Sequence, residues 1–419
     1  MFSLENRKKW LLAAFAAETM CATYCLKIYA FTPVFSVVYF LSGIAFAVLI
    51  TSVPDIKTVL RGPMSFSAFS SWFKLLLFIA TVIIAFFVSR YWFDLIPVDP
   101  DYADMLPVIK IMDQRLIAGQ WKHVYDNIPE IWNGTRPIYL PAMWLPFTPA
   151  VIFNFDLRWI TTICLILIFS YFIFILDFNR NKPASFFLLL IGVILFWWLT
   201  GEDEAHGFLS LSEEGIVAFY YALLVLAISS GNIVSISIVT SLCVLSRYAL
   251  IGWIPAFLLY LILNQKKREL IIFVITGIIC FLVLFVLPFG WRAFVQLSQL
   301  PGYYVEFAKK VWENSREVFW MSLGFAKFFG PAKAGLLHTL LVILSFISPI
   351  VFVIICFYRN KKKRVSNIAL ASLKISLVFF YNFIDVPYLY LFYTSSFVSL
   401  ITVALLMQSS QTVLKVKYK

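Results

Sequence analysis

Apolar runs about as long as a bilayer crossing constrain the fold of this chain more than any other feature. A membrane-spanning helix needs roughly 20 mostly apolar residues, and shorter helices occur where protein surrounds them. With 62% hydrophobic residues, 13% charged residues and a mean hydropathy of +0.88, the chain is not a water-soluble globule. The sequence predicts an all-α polytopic membrane protein, one integral domain over residues 1–419, with about 12 transmembrane helices. The predicted spans are 10–30, 33–53, 73–96, 158–177, 184–200, 216–230, 232–246, 249–264, 270–288, 335–357, 367–384 and 387–407.

Basic residues indicate the orientation of these spans. Arg7-Lys8-Lys9 precede the first run, Lys266-Lys267-Arg268 separate the eighth and ninth, and Arg359 to Arg364 follow the tenth. Short loops rich in Lys and Arg stay on the cytoplasmic side of a membrane. We therefore expect both termini in the cytoplasm, and most acidic residues on the periplasmic side of a bacterial inner membrane.

Two long segments fall on the predicted external side, at 97–157 and 289–334. The first opens with three carboxylates and continues with apolar residues at helical spacing, which predicts an amphipathic helix on the bilayer surface. The apolar positions are Met105, Val108, Ile109, Met112 and Leu116, and the polar positions on another side are Lys110, Asp113 and Gln114. The second segment mixes aromatic and basic residues and predicts further interfacial helices.

The acids at the start of the first segment are candidates for proton transfer. Asp104, with Asp101 one turn away, lies where partial desolvation raises the pKa of a carboxylate, so that it can take a proton from a hydroxyl. The alternative is helix capping, because Asp104 directly precedes Met105-Leu106-Pro107.

Arg247 lies between two short apolar runs, at an external hairpin tip or in the outer half of the membrane. A charge there needs an anionic partner or a function. A lipid phosphate suits its guanidinium. The alternatives are an ion pair, with Glu18 or with an external acid, and snorkelling to the interface.

An acidic loop contains the weak metal-ligand candidates Asp203, Glu204 and His206. Carboxylates and an imidazole can hold a divalent cation, although a solvated acidic loop is the simpler interpretation. All six cysteines lie in apolar runs and are expected to pack in the core.

Aromatic and proline residues follow the predicted interfacial helix in a recognisable order. Ala118-Gly119 leads to Tyr125, and then come Tyr139-Leu140-Pro141 and Trp144-Leu145-Pro146-Phe147. With the preceding acids, residues 98–147 resemble the GT-C superfamily of integral-membrane glycosyltransferases, and most of all the polyprenyl-phosphate-mannose-dependent family 87.

This resemblance implies an inverting transferase that moves a sugar, mannose in the family, from a polyprenyl-phosphate donor to an external glycan, lipid or protein acceptor. It implies Asp104 as the base, with Asp101 in reserve. Arg247 would hold the donor phosphate, with Arg292 and Lys309 as further phosphate contacts.

The resemblance also marks Tyr125, Tyr139 and Trp144 as candidate substrate contacts. Glu213 and Glu214 join them, since Ser212-Glu213-Glu214-Gly215 stands where the family carries a Gln/Asn-containing motif. The acidic segment follows the third predicted span here rather than the first. The resemblance requires no cofactor and leaves a divalent cation as an option.

Two other classes stay open. A secondary transporter or lipid flippase would have repeated halves and Gly/Pro-broken helices, and no matching halves are visible. A polymerase or ligase of lipid-linked oligosaccharides is the third class.

Overall fold

Helices account for the regular structure in the computed structural model, which describes residues 4–24, 27–53, 68–132, 134–178, 182–203, 207–359 and 367–408. Within those ranges the extended pairing is one isolated bridge between Ile128 and Thr135. The predicted all-α class is confirmed.

The helices are numbered in chain order. The first eight are α1 Leu4–Tyr24, α2 Thr32–Ile50, α3 Ala68–Leu95, α4 Met105–Ile117, α5 Pro141–Trp144, α6 Thr148–Ile152, α7 Arg158–Ile175 and α8 Lys182–Gly201. The others are α9 Glu214–Ser230, α10 Ile233–Val244, α11 Trp253–Leu263, α12 Lys267–Phe281, α13 Leu287–Ser298, α14 Tyr304–Asn314, α15 Glu317–Trp320, α16 Ala326–Phe329, α17 Ala334–Arg359, α18 Ile368–Asn382 and α19 Tyr393–Gln408.

Seven helical segments in the described ranges are long and apolar enough to cross a membrane. They are Tyr29–Ile50, Ser71–Leu95, Arg158–Ile175, Lys182–Gly201, Lys267–Ser298, Pro331–Arg359 and Leu389–Met407. The other five predicted spans also contain helices, namely the charge-bearing α1 and the shorter α9, α10, α11 and α18. The chain is therefore an α-helical membrane protein, and the number of crossings beyond seven stays a prediction.

Helix α19 forms the centre of the bundle. It packs against α1, α7, α8, α9 and α18, and 94% of its apolar segment is buried. In contrast, only 11% of the Ser71–Leu95 segment is buried, so its apolar side chains are left to face lipid. Burial thus separates a protein-lined interior from a peripheral layer.

A buried ion pair connects α1, α18 and α19. Lys374 donates hydrogen bonds to Glu18 and to Ser395 Oγ, the latter at 2.6 Å, and Ser399 Oγ donates to Glu18 Oε2 at 2.8 Å. Both charged side chains are completely inaccessible to solvent. Glu18, one of the alternative partners considered for Arg247, is thus committed to Lys374.

Helix α4 has the predicted apolar face, with Val108, Ile109 and Met112 buried, but the predicted position of Asp113 is wrong. Asp113 is fully buried, because it follows Ile109 by four residues and therefore lies on the same face. Thr148 Oγ1 donates to its Oδ1 at 2.5 Å, while Oδ2 has no hydrogen-bond partner among the described residues. Burial raises the pKa of Asp113 to about 7.

The second predicted external segment does contain amphipathic helices. In α14, Ala308, Val311 and Trp312 are buried, and Trp312 stacks on Phe319 with ring centroids 3.9 Å apart. Before α14, a π-helical turn over Leu282–Val286 and a break at Gly290, where φ is +81°, bend the chain. A positive φ favours glycine at this bend.

We predict that Lys374→Met destabilises the protein by roughly 3–5 kcal/mol, because Glu18 is left buried without a cation. The double variant Glu18→Leu, Lys374→Met should recover most of this loss, since both charges are then removed together. Thermal unfolding in detergent measures both. Lys9→Ala, at an exposed Lys–Glu pair, is the control. A single variant as stable as this control would contradict the assigned role.

Candidate functional site

Two adjacent glutamates lie buried at the start of α9. Glu213 is the residue before the first turn and Glu214 is its first residue. The preceding turn is held by Asp203, whose carboxylate accepts hydrogen bonds from the N–H groups of Leu209 and, at 2.8 Å, Ser210. A helix N-terminus carries partial positive charge, which favours carboxylates at this position.

Gly215 allows this end of α9 to approach α7. A Cβ at this position would lie 2.7–2.9 Å from the side chain and backbone of Thr161. The close crossing therefore depends on glycine and keeps Glu213 and Glu214 in the interior.

Arg247 pairs with both glutamates. It lies on extended backbone between α10 and α11, and its Nη2 is 3.0 Å from Glu213 Oε1 and also contacts Glu214 Oε1. The Arg247 side chain is 19% exposed, whereas those of Glu213 and Glu214 are 2% and 0% exposed. Of the alternatives open from the sequence, the structure therefore contains an ion pair, and its acids are Glu213 and Glu214.

Polar atoms in this cluster remain unused. Glu213 Oε2, Arg247 Nε and the Tyr221 hydroxyl are buried and have no hydrogen-bond partner among the described residues. Most buried polar groups in proteins are hydrogen-bonded. These three atoms therefore keep hydrogen-bonding capacity that the described residues do not use.

Asp104 faces the same cluster from α4. It is the N-cap residue of α4, but its side chain makes no capping hydrogen bond. Burial raises the pKa of its carboxyl. Burial raises the pKa of Tyr139 and that of Glu213; the charge of Asp104 adds to both shifts and that of Arg247 opposes them. Asp104, Tyr139, Glu213 and Arg247 are thus electrostatically coupled.

Asp101, the reserve base, lies elsewhere. It is exposed in the turn before α4, and its backbone N–H donates to Asp99 Oδ1 at 2.9 Å. The sequence leaves Asp101 and Asp104 as alternatives. In the structure Asp101 is exposed, whereas Asp104 is partly buried and within electrostatic range of Glu213.

Tyr125 and Trp144 belong to an aromatic core next to the cluster. Trp144 Nε1 donates to the Tyr125 hydroxyl at 3.2 Å, and both rings pack on Phe289, just before the bend at Gly290. Both side chains are almost fully buried. Their polar atoms are hydrogen-bonded to each other, and their role as substrate contacts stays a prediction.

The two further phosphate candidates lie apart from Arg247. Arg292 is exposed on α13, and Lys309 pairs with Glu306 at 2.9 Å on α14. In the ranges that the structure describes, no contact joins either residue to Arg247. Of the weak metal candidates, Asp203 holds the turn before α9, and Glu204 and His206 lie outside the described residues. No cluster of three metal-ligand side chains occurs in the described part of the chain.

The structure adds residues that the sequence analysis did not single out. Tyr304 lies within electrostatic range of Arg247 and Asp385: burial raises its pKa, the charge of Arg247 opposes this shift and that of Asp385 adds to it. Asp385 Oδ2 is 2.7 Å from His338 Nδ1. Tyr381 and Tyr390 also lie within electrostatic range of Arg247. The only sequence signal was the density of aromatic residues around Asp385.

The cluster contains more acid than base. Glu213 and Glu214 contact one guanidinium, and Asp104 is a third carboxylate within electrostatic range of Glu213. Carboxylates this close to one another and to an apolar interior cannot all ionise easily. The arrangement therefore favours retention of a proton among the acids at neutral pH.

Comparison with protein families, curated proteins and solved structures finds no match to this chain. The geometry and the chemistry of the site therefore carry the functional argument.

We predict that Arg247→Met destabilises the protein by roughly 3–5 kcal/mol at pH 8, because buried carboxylates lose their cation. The loss should shrink as the pH falls towards 5. Arg247 opposes the rise that burial causes in the pKa of Glu213, so its removal raises that pKa further. The folded variant therefore binds more protons than the unfolded chain over this range, and its stability falls more steeply than that of the original protein as pH rises.

Thermal unfolding of detergent-solubilised protein between pH 5 and 8 measures this effect. Arg292→Met, which removes an exposed arginine, is the matched control. Equal pH profiles for the two variants would show that Arg247 does not neutralise the buried acids.

Proposed function

We propose that this protein is an inverting glycosyltransferase of the GT-C type, which moves a sugar from a polyprenyl-phosphate donor to a glycan, lipid or protein acceptor. The observation that carries the proposal is the position of Asp104. Its carboxylate makes no cap, is only partly buried, and faces the same cluster as Arg247. One-step glycosyl transfer requires a base for the acceptor and a cation for the departing phosphate within one site.

Asp104 acts as the general base. It accepts the proton of the acceptor hydroxyl as that oxygen bonds to the anomeric carbon. The bond from the anomeric carbon to the phosphate oxygen breaks, and the phosphate leaves with the electron pair. Partial burial supports this role, because a pKa raised towards neutrality makes a carboxylate a better base.

Arg247 stabilises the departing phosphate by exchanging partners. In the structure its charge is shared by Glu213 and Glu214, so an anionic ligand must replace one of them. Protonation makes this replacement possible, since a neutral Glu213 no longer competes for the guanidinium. The unused Nε of Arg247 offers a further donor to a phosphate oxygen.

Tyr139 contributes to the sugar-binding surface. It lies within electrostatic range of both Asp104 and Arg247. A phenol in that place can donate to or accept from a sugar hydroxyl. The sugar is mannose by the resemblance of residues 98–147 to family 87.

In this proposal the site faces the periplasm across a bacterial inner membrane, and both termini lie in the cytoplasm. The support is the basic loops, which belong on the cytoplasmic side. Lipid-linked donors also suit a compartment without nucleotides, and the chain contains no glycine-rich phosphate-binding motif.

A secondary transporter or flippase is the second candidate function. The observation that favours it is a second buried charge cluster, Glu18 with Lys374, because ionisable groups inside a helical bundle often mark an ion or substrate path. A transporter would move the lipid without breaking the bond between sugar and phosphate.

We predict that Asp104→Asn lowers the rate of transfer by about 10²–10⁴-fold, the usual share of a general base. The assay supplies labelled polyprenyl-phosphate mannose and a cell-envelope extract as acceptor, and it measures released polyprenyl phosphate. Asp101→Asn, an exposed neighbour on the same turn, should retain the activity of the original protein.

Two outcomes would overturn the proposal. Equal activity of the Asp104→Asn and Asp101→Asn variants would remove Asp104 as the base. Movement of the labelled lipid across vesicles that contain the purified protein, with its sugar–phosphate bond intact, would favour the transporter.

A further inference from the structure

A groove between α1 and α8 lies outside the carboxylate cluster. It encloses about 230 Å³ and is lined by Tyr24, Lys27, Val193, Ile194, Trp197, Trp198 and Glu202. This is below the roughly 300–1,000 Å³ of sites that enclose a whole drug-sized ligand. The groove is therefore suited to the polar headgroup of a larger molecule whose remainder stays outside.

An apolar strip leads to the groove along α8. Phe186, Leu190, Val193 and Trp197 recur at helical spacing, and each is exposed. In a membrane protein such a face contacts lipid tails. A lipid chain that follows this strip brings its headgroup to the end of α8, where the groove begins.

Charges of both signs stand at the groove. Lys27 Nζ is 2.5 Å from Glu202 Oε1 and 5.0 Å from the centre of the Trp198 ring. The Lys27 side chain is 48% exposed and that of Glu202 is 29% exposed, so a ligand can reach both. The Tyr24 and Trp198 rings lie 5.7 Å apart beside this pair.

We propose that this groove binds the headgroup of a phospholipid that carries both a phosphate and a primary ammonium, such as phosphatidylethanolamine. Lys27 binds the phosphate, and Glu202 accepts hydrogen bonds from the ammonium. The aromatic rings add cation–π attraction. One existing ion pair is thereby exchanged for two.

Charge complementarity disfavours the other common lipids. A phosphatidylglycerol headgroup has no cation for Glu202, so its phosphate would face an uncompensated carboxylate. A phosphatidylcholine headgroup has a cation without N–H donors. A polyprenyl-phosphate sugar also lacks a cation, which separates this groove from the proposed donor site.

One residue of the groove, Trp198, is connected to the turn that precedes Glu213. Trp198 Nε1 donates to the Tyr393 hydroxyl at 2.8 Å, and the Tyr393 ring meets Phe208 edge to face at 5.8 Å. Phe208 belongs to the turn that Asp203 organises before α9. A headgroup bound beside Trp198 is therefore connected, through Tyr393 and Phe208, to the turn that precedes Glu213.

Native mass spectrometry of the detergent-solubilised full chain tests the proposal. The probes are phosphatidylethanolamine, phosphatidylcholine and phosphatidylglycerol of identical acyl chains, titrated separately. We expect phosphatidylethanolamine to bind about tenfold more tightly than either of the others, the scale of one charge-assisted hydrogen bond.

Substitutions locate the binding. Glu202→Gln should remove the preference for phosphatidylethanolamine over phosphatidylcholine, and Lys27→Gln should weaken the binding of both. Lys309→Gln, at an exposed Lys–Glu pair on α14, is the matched control and should leave binding unchanged. Thermal unfolding verifies that each variant is folded.

Equal binding of the three lipids, or preference for phosphatidylglycerol, would overturn the proposal. So would unchanged selectivity in the Glu202→Gln variant. None of these results depends on glycosyl transfer, so the proposed function is tested separately.

Discussion

The ion pairing of Arg247 with Glu213 and Glu214 is the interaction on which the rest of the structure depends. A guanidinium inside an apolar helical bundle is costly unless anions surround it. Here the partners come from the start of α9, and Gly215 allows that helix to approach α7 closely enough to keep them buried. The charged residues therefore hold the start of α9 against the connection between α10 and α11.

The excess of acid gives this cluster its chemical character. With only the two glutamates beside Arg247, the cluster would be a structural ion pair without a group for proton transfer. Asp104 adds a carboxylate that is partly open and not needed for capping. In the proposed mechanism, a proton shared among these acids frees Arg247 to bind the phosphate while Asp104 accepts the proton of the acceptor.

The sequence predicts the helices well, because apolar runs and helical spacing report burial directly. It also singles out Asp104 and Arg247 as candidate site residues, because each places a charge next to apolar segments, where a charge is costly. It does not predict their neighbours, such as Tyr304, because these depend on how distant helices cross. Asp113 shows that the prediction can fail even within one helix. Its polarity suggested the exposed face of α4, but it lies four residues after Ile109 and is therefore on the buried face.

The most direct test of the central claim is a cryo-EM structure in a lipid nanodisc with polyprenyl-phosphate mannose bound. The account predicts the phosphate on Arg247, with a glutamate displaced. It also predicts Asp104 on the opposite side of the anomeric carbon, with room for an acceptor oxygen about 3–3.5 Å from that carbon. A phosphate bound away from Arg247, or an Asp104 turned to bulk water, would contradict it.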